Sequence, residues 1–247
     1  MDDFRLSLPA DYYLRHMSIT ESTNTDALNW VIDGNKPKAF FIADSQHAGR
    51  GRRGRSWSSP VGNLYASLLV PCPDDLKSLG HYGFAISLAI YDAITSLAPD
   101  APAAVKWPND VLIDGGKCAG VLMEVGEGSQ GKGLVIGFGL NILHAPEGTP
   151  YPVAKLADWR SGLTTADWAS SILKSFFSLI DLPAEQLLQR WKKAAKGIGQ
   201  PIKVNLPDSS IDGLFIDIAD DGALLLQTEE GRKQIYAGDV FFPRSAA

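Results

Sequence analysis

The chain has 247 residues, of which 45% are hydrophobic and 21% charged, and its formal net charge is −5. This composition is that of a folded protein and excludes long disordered regions, while the negative charge disfavours a general nucleic-acid-binding protein. The two cysteines, Cys72 and Cys118, fit neither a metal-binding pair nor a disulfide framework. Residues 1–4 lack the basic and apolar regions of a signal peptide, and no apolar run is long enough to span a membrane. We therefore expect a cytoplasmic protein with no membrane partner.

The first half of the chain alternates between helical and strand-like patterns. A helix is predicted over 23–32, with capping residues before it and Gly34 after it, and a second helix with a broad apolar face over 82–97. Short apolar runs predict strands at 39–43, 64–70, 103–107, 111–113, 119–125 and 134–142. Glycines predict turns at 115–116 and 126–133. Because these connections are too short for crossover helices, neighbouring strands should pair antiparallel.

The strand at 134–142 could be an exposed edge that pairs two subunits, or it could be covered by the C-terminal region.

Two further helices are predicted over 167–180 and 184–195. From residue 200 onward only short β-rich runs follow, at 202–206, 210–218, 223–228 and 234–242. This change predicts a domain over 1–196 and a small β-barrel over 197–247.

The most informative segment is GRGRRGR at residues 49–55, which we call the arginine loop. Glycines let the backbone approach a ligand closely, and arginines supply fixed charge and forked donors for phosphate or carboxylate. In an acidic chain, so much positive charge in one loop indicates an anion-binding site. A solvated basic loop or a nucleic-acid-binding patch are the alternatives.

Three other segments accompany the arginine loop: ESTN at 21–24, VKWPND at 105–110 with GKCAG at 116–120, and GFGLN at 137–141. Together, and in this order, they resemble the biotin–protein ligases, which attach biotin to the carrier domains of carboxylases. The resemblance covers roughly residues 18–143, and the C-terminal β-rich region is similar to the family's SH3-like domain. It implies an α+β fold: a mixed, largely antiparallel sheet flanked by helices, of the class II synthetase-like type, with an SH3-like β-barrel. About twenty residues precede Glu21, so the resemblance is to the type without an N-terminal DNA-binding domain.

The resemblance also implies roles for individual residues. The biotin-binding residues implied are Ser22, Thr23, Asn24, Gln46, Arg50, Gly51, Arg52, Lys117, Gly120, Leu122 and Gly137. Those implied for ATP and the adenylate are Arg52, Trp57, Asn109, Lys117 and Asn141. The catalytic residues implied are Lys117, Arg52 and Asp110, with Asp110 also a hypothetical base for the acceptor lysine. Mg²⁺ is implied through the ATP phosphates, with no dedicated protein site.

The residues alone leave simpler interpretations open. Ser22, Thr23 and Asn24 could cap the helix, and Lys117 could be an ordinary lysine at a strand edge. Trp107 is most simply a core residue, and Asn109 with Asp110 could belong to a turn after Pro108.

The partners implied are biotin, ATP and a biotin carboxyl carrier domain, with the protein a monomer or a homodimer and no specific nucleic acid bound. A lipoate or octanoate transferase with the same fold is the alternative enzyme. A nucleic-acid-binding module is the alternative from another class, and its binding should weaken steeply with salt.

Overall fold

The structure is a computed structural model that describes residues 6, 8–75 and 77–243; residues 1–4, considered above for a signal peptide, lie outside that range. Its largest feature is a seven-stranded sheet. In chain order the strands are β1 (Tyr13–Met17), β2 (Ala39–Ala43), β3 (Leu64–Pro71), β4 (Ala103–Lys106), β5 (Asp110–Ile113), β6 (Gly116–Gly128) and β7 (Gly131–Leu140). Their order across the sheet is β1-β2-β3-β7-β6-β5-β4.

The pairing of these strands is antiparallel except between β1 and β2, which are parallel. The predicted mixed, largely antiparallel sheet is therefore confirmed. Strand β1 was not predicted, because three of its five residues are exposed and its sequence, YLRHM, carries a weak apolar pattern. The suggestion that residues 134–142 form an exposed edge is wrong, since β7 lies between β3 and β6.

The predicted turn at 126–133 is also wrong. Strand β6 continues to Gly128 and β7 begins at Gly131, which leaves a two-residue hairpin connection. The glycines serve another purpose here, because a Cβ on Gly128 would lie 1.8 Å from the Val31 carbonyl oxygen. This end of the hairpin is glycine-rich because a helix packs directly on its backbone.

In the described part of the chain, four α-helices cover the two faces of the sheet: α1 (Thr23–Ile32), α2 (Lys77–Leu97), α3 (Thr165–Ile180) and α4 (Ala184–Ala194). Helix α1 lies on one face, where Ala27 and Val31 pack with Phe41, Leu69 and Val135. The opposite face carries the main core with α2, α3 and α4. Because both faces are covered, successive residues are buried throughout β2 and along β3 as far as Val70.

The C-terminal region is a separate five-stranded antiparallel sheet. Its strands are β8 (Pro201–Asn205), β9 (Ser210–Ile218), β10 (Leu224–Thr228), β11 (Gly231–Ile235) and β12 (Asp239–Phe241), in the order β11-β10-β9-β8-β12. The single run predicted at 234–242 is thus two strands. Trp107 joins the two sheets: it is buried, as predicted for a core residue, and its Nε1 donates to the Gly222 carbonyl at 3.0 Å. Among the described residues, no helix is both long and apolar enough to cross a membrane.

Candidate active site

One cleft brings together almost all of the residues singled out from the sequence. It opens on the α1 face of the sheet, beyond the N-terminus of α1. Its lining includes Ser22, Thr23, Asn24, Gln46, Arg50, Gly51, Arg52, Trp57, Asn109, Asp110, Lys117, Gly120, Leu122 and Gly137. Asn141 is the exception: it is buried and lines an adjoining pocket, which it shares with Trp57, Lys117 and Tyr151.

The cavity left in the cleft is about 80 Å³. Sites for small molecules usually measure about 300–1,000 Å³, so the cleft has to widen before it can hold a sizeable ligand. The arginine loop forms one of its walls and is not a strand of the sheet, so a shift of this loop would leave the pairing of the sheet intact.

The start of α1 forms the polar end of the cleft. Ser22 occupies the N-cap position but makes no capping hydrogen bond through its side chain, so the simple capping interpretation does not hold for it. The cap comes instead from Gln46, whose Oε1 accepts from the backbone N–H of Thr23 at 2.9 Å. Gln46 Nε2 in turn donates to Ser59 Oγ at 2.9 Å. Both ends of the Gln46 amide are therefore fixed, which positions the Thr23 hydroxyl at the cleft.

The arginine loop has a defined, hairpin-like conformation. Arg50 and Ser56 form an antiparallel bridge, and the Gly51 N–H donates to the Arg55 carbonyl at 2.7 Å. Between them, Arg52–Gly54 make a 3₁₀ turn in which Arg53 has a φ of 57°. A non-glycine residue in this left-handed region costs free energy, so surrounding contacts must hold the turn.

Those contacts come from four separate parts of the chain, the first of which is Thr25 of α1, whose hydroxyl oxygen accepts from Arg50 Nη1 at 2.6 Å. Arg50 Nη2 donates to both oxygens of Glu124, at 3.2 and 2.9 Å, and Arg52 Nη1 donates to Asn109 Oδ1 at 3.0 Å. Burial lowers the pKa of the Arg52 guanidinium, although an arginine remains charged in proteins. The cleft therefore contains a fixed and poorly hydrated cation.

The fourth contact reaches the C-terminal sheet. Arg53 Nη1 lies 3.4 Å from Asp239 Oδ2, and Arg55 Nη1 donates to Asp239 Oδ1 at 3.4 Å. Arg55 Nη2 also bonds directly to the same carboxylate. Both arginines therefore contact a carboxylate of the C-terminal sheet.

Lys117 lies opposite the arginine loop, near the start of β6. Its Nζ is 2.6 Å from Asp110 Oδ1, and it also lies 5.4 Å from the centre of the Trp57 ring. The Lys117 side chain is 20% exposed and that of Asp110 16%. Lys117 is therefore a half-buried cation directed into the cleft, not an ordinary edge lysine.

Asp110 also faces a second lysine. Lys106 Nζ lies 4.0 Å from Asp110 Oδ2, and burial lowers the pKa of Lys106. The contact with Lys117 leaves Asp110 Oδ1 without a hydrogen bond of good geometry. The Asp110 carboxylate therefore lies between two lysine ammonium groups at the edge of the cleft.

Trp57 covers the far end of the cleft. A Cβ on Gly139 would lie 2.4 Å from Trp57 Nε1, and a Cβ on Gly137 would lie 1.8 Å from Asn24 Oδ1. The glycines that interrupt β7 therefore make room for protein side chains. Within the part of the chain that the structure describes, Trp57 Nε1 and Asp110 Oδ1 are the two buried side-chain polar atoms without a hydrogen-bond partner.

Sequence reasoning missed several residues of this site. Ser67 and Glu124 extend from β3 and β6 toward Asn24, and Tyr151 and Asp239 complete the cleft lining. Ser67 and Glu124 did carry a signal, because each is a polar residue inside a strand with mostly apolar neighbours. Asp239 carried none, since it lies far along the chain in a different sheet.

The site is therefore rich in positive charge. Four cationic side chains line it, Arg50, Arg52, Arg55 and Lys117, against the carboxylates of Asp110 and Asp239. Small hydroxyl and amide groups surround its other end. The arrangement can hold an anion beside a neutral polar group.

Comparisons with known proteins agree with this geometry. Residues 17–141 match the Biotin/lipoate A/B protein ligase family, and residues 197–242 match the Biotin protein ligase C terminal domain. The chain is 33% identical over 235 residues to a biotin--[acetyl-CoA-carboxylase] ligase of Paracoccus denitrificans, covering 90% of this chain and 98% of the relative. It is 34% identical over 233 residues to the ligase of the same name from Mycobacterium tuberculosis, covering 90% and 85%.

Solved structures extend the likeness to the fold. The biotin protein ligase of Aquifex aeolicus in complex with biotin and ATP superposes with a TM-score of 0.80 at 25% identity, covering 93% of this chain and 97% of that one. The α+β fold inferred from the sequence is thus confirmed. From its fold, its two matched regions and its relatives, the chain belongs to the Biotin/lipoate A/B protein ligase family.

Proposed function

We propose that this protein is an ATP-dependent biotin–protein ligase that forms biotinyl-5′-adenylate and transfers the biotin to a lysine of a biotin carboxyl carrier domain. The observation that carries the proposal is the convergence of Lys117 and Arg52 in the same cleft as the polar groups around Thr23. The end of the cleft near Thr23 has polar groups that suit the ureido ring of biotin. The end with Lys117 and Arg52 has the positive charge that suits the biotin carboxylate and the ATP phosphates. The names of the two relatives specify acetyl-CoA carboxylase, so the carrier domain of that enzyme is the first candidate acceptor.

In the first step, a carboxylate oxygen of biotin attacks the α-phosphorus of ATP and pyrophosphate leaves. Two anions have to approach each other, and negative charge spreads over the phosphoryl oxygens in the transition state. Lys117 and Arg52 are the cations proposed to stabilise this charge. Both are already held by protein contacts, at Asp110 and Asn109, so little reorganisation is needed as the charge develops.

In the second step, the acceptor lysine attacks the acyl carbon, AMP leaves, and the amine loses a proton as the amide forms. An ammonium group is not a nucleophile, so a base has to accept a proton. We propose Asp110 for this role, because its half-buried carboxylate lines the cleft, with Oδ1 2.6 Å from Lys117 Nζ. If Asp110→Asn transferred biotin from preformed adenylate at the full rate, Asp110 would not be the base.

Mg²⁺ accompanies ATP in reactions of this kind, where it offsets phosphate charge. The described residues contain no cluster of three or more His, Cys, Asp or Glu side chains able to hold a metal ion. Its proposed ligands are the ATP phosphates, and Asp110, which pairs with Lys117, is a carboxylate of the cleft that could join them.

The remaining assignments form part of the proposal. Biotin is assigned to the end of the cleft with Ser22, Gln46, Gly120 and Leu122, and the nucleotide to the end with Trp57. Asn141 supports a nucleotide role through the adjoining pocket, where an adenine edge could reach its amide. The division into domains 1–196 and 197–247 is supported by the family match over 197–242. A cytoplasmic location, a monomeric or dimeric state and the absence of a nucleic-acid partner stay predictions.

The test is mass spectrometry of a carrier domain incubated with the protein, ATP, Mg²⁺ and biotin. We expect the mass increment of one biotin amide, and no increment with lipoate or octanoate in place of biotin. Lys117→Met should abolish both this product and the biotin-dependent exchange of labelled pyrophosphate into ATP. Lys132→Met, at an exposed lysine of β7, is the matched control and should retain both. Modification with lipoate alone would establish the alternative transferase, and salt-sensitive binding of nucleic acid without any modification would establish the other alternative.

A further inference from the structure

Asn63, just before β3, makes four hydrogen bonds to the segment that follows β7. Its Oδ1 accepts from the backbone N–H groups of Ile142, Leu143 and His144 at 2.9, 2.9 and 3.0 Å. Its Nδ2 donates to the His144 carbonyl at 2.9 Å. Asn63 is 2% exposed, so water is poorly placed to replace these bonds.

This segment depends on a side chain because the sheet no longer supplies its partners. Strand β7 ends at Leu140, and the first of the three N–H groups belongs to Ile142. Successive N–H groups that point to one place form a concavity for a strongly accepting group, and the Asn63 oxygen occupies it. Each of these N–H groups would cost free energy if it were buried without an acceptor. Asn63 therefore fixes the course of the chain as it leaves the sheet.

The chain then forms a loop over residues 145–151, which we call the Tyr151 loop, and returns to the sheet beside Lys117. There the Lys117 N–H donates to the Pro152 carbonyl at 2.9 Å. In the middle of the loop, a Cβ on Gly148 would meet no atom of the described chain within 4 Å. The Tyr151 loop is therefore held mainly at its two ends, by Asn63 at one and by the Lys117 backbone at the other.

Tyr151, the last residue of this loop, faces the cleft. The centre of its ring lies 5.9 Å from Lys117 Nζ, and Tyr151 lines both the cleft and the adjoining pocket assigned above to the nucleotide. Pro146 and Thr149 of the same loop line that pocket as well. The position of the Tyr151 loop therefore sets the shape of the nucleotide pocket.

We propose that Asn63 is a positioning residue for ATP, because it fixes the start of the Tyr151 loop and thereby one wall of the nucleotide pocket. This inference rests on the proposed function, which supplies the nucleotide. It assigns a role in the reaction to a buried side chain that lines neither the cleft nor the pocket.

Two variants of Asn63 separate its bonds. Asn63→Leu keeps a similar volume and removes all four bonds, whereas Asn63→Asp keeps an oxygen for the three N–H groups and loses the N–H₂ that faces the His144 carbonyl. Ser87→Ala is the matched control, because Ser87 is 1% exposed and its Oγ accepts from Trp191 Nε1 at 3.0 Å, in the core between α2 and α4. It also orphans a buried N–H group, but away from the cleft.

The assay is the biotin-dependent exchange of labelled pyrophosphate into ATP, with KM for ATP and kcat measured separately. Asn63→Leu should raise KM for ATP by about tenfold or more, and Asn63→Asp by about threefold or less. Isothermal titration should find the Kd for biotin changed by less than about threefold in both, since the loop borders the nucleotide end. Ser87→Ala should lower the melting temperature and leave KM for ATP unchanged. If Asn63→Leu did the same as Ser87→Ala, Asn63 would be merely structural and the inference would be overturned.

A double-mutant cycle tests whether Asn63 acts through the loop. Tyr151→Ala should itself raise KM for ATP, and adding Asn63→Leu should then raise it by only about threefold or less, because the wall is already lost. A full, independent effect of Asn63→Leu in the Tyr151→Ala protein would overturn the inference.

The loop can also be observed directly, by glutamyl endopeptidase cleavage after the exposed Glu147. The ligand-free Asn63→Leu protein should be cut about tenfold faster than Ser87→Ala, well below the melting temperature of either. Equal rates would overturn the inference. If the unaltered protein catalysed the exchange and Asn63→Leu kept its KM for ATP, this inference would fall and the proposed function would stand. No biotin-dependent exchange by the unaltered protein would refute both.

Discussion

Asp239 is predicted to hold the arginine loop against the catalytic sheet. Its side chain is 20% exposed, and it contacts Arg53 and Arg55, which are 30% and 54% exposed. Exposed ion pairs contribute about 0.2–1 kcal/mol each. The Arg53–Asp239 pair is the less exposed, so we assign it the upper part of that range, and we assign the Arg55–Asp239 pair the middle. Together the two pairs stabilise the closed loop by about 1.4 kcal/mol. That free energy corresponds to about a tenfold change in the fraction of molecules with the loop open.

The perturbation is Asp239→Asn, and the assay is the initial rate of trypsin cleavage after the arginines of the loop, with fragments identified by mass. Cleavage tracks the population of the open form when the loop opens and closes quickly. We expect cleavage of the ligand-free variant to be about tenfold faster, and biotin with ATP to slow cleavage of both proteins. Asp212→Asn is the control, because Asp212 is 75% exposed in the same C-terminal sheet and lies 4.0 Å from Lys203. Equal cleavage rates for Asp239→Asn and Asp212→Asn would show that Asp239 does not hold the loop.

The pH dependence of this contact has a definite sign. Burial raises the pKa of Asp239, but the hydrogen bond from Arg55 and the charges of Arg55 and Arg53 outweigh it, so the pKa lies below its ordinary value. A carboxylate with a lowered pKa contributes its stabilisation above the pKa of the open state, and loses it as the pH falls through the lowered value. Loop protection due to Asp239 should therefore be constant from about pH 6 to 9 and disappear only in acid, below about pH 4.

Two further outcomes follow from close packing. Gly137→Ala should weaken biotin binding by about tenfold or more and lower the melting temperature, because the new Cβ would lie 1.8 Å from Asn24 Oδ1. Gly80→Ala is the control, because the atom nearest to its new Cβ would be 3.7 Å away. The melting temperature is measured by calorimetry and biotin binding by titration. If Gly137→Ala left both quantities unchanged, the packing would be contradicted. Iodoacetamide at pH 8 should alkylate Cys72 in the native protein and spare Cys118, which is 0% exposed and whose thiol pKa is raised by burial. When the protein is denatured before alkylation, mass spectrometry should find both cysteines modified. Rapid labelling of Cys118 in the native protein would be inconsistent with this core.

Local patterns in the sequence were sufficient to predict most of the regular structure. The helix at Thr23–Ile32 and the strand at Ala39–Ala43 have the predicted bounds, because each is a periodic apolar run with a clear stop. Strand β1 could not be predicted in this way, since its exposed residues follow no strict alternation and its pairing with β2 is decided by tertiary contacts.

The glycines show where local patterns mislead. A glycine-rich run between two apolar runs usually predicts a loop, yet β6 and β7 continue through Gly126 and Gly133. A Cβ on Gly126 would lie 3.1 Å from Leu28, and one on Gly133 would lie 2.8 Å from Val31. These positions accommodate α1, a reason that becomes visible only when the helix and the sheet are seen together.

The sequence predicted most of the residues that line the site, but it did not predict the contacts that hold them in place. The residues around Lys117 and Arg52 carry recognisable spacing, and they do line one cleft. The contacts that hold them, from Ser67, Glu124 and Asp239, join positions 43 to 186 residues apart. Such pairings depend on the register of the sheet and on the position of the C-terminal strands, which no local pattern encodes.

The division of one sheet face explains why the cleft lies where it does. Helix α1 has 10 residues and is therefore about 15 Å long, whereas β7 has 10 residues and extends about 33 Å. The helix covers the strand from the Val31 contact at Gly133 to the Asn24 contact at Gly137, and the strand continues beyond it. Trp57 covers the next inward-facing position, Gly139, and the arginine loop precedes it in the chain. Moving α1 off the sheet would expose apolar residues, whereas moving the arginine loop would break only polar contacts. The end of the sheet that α1 leaves uncovered is therefore a cleft, and the arginine loop is the wall of this cleft that can open.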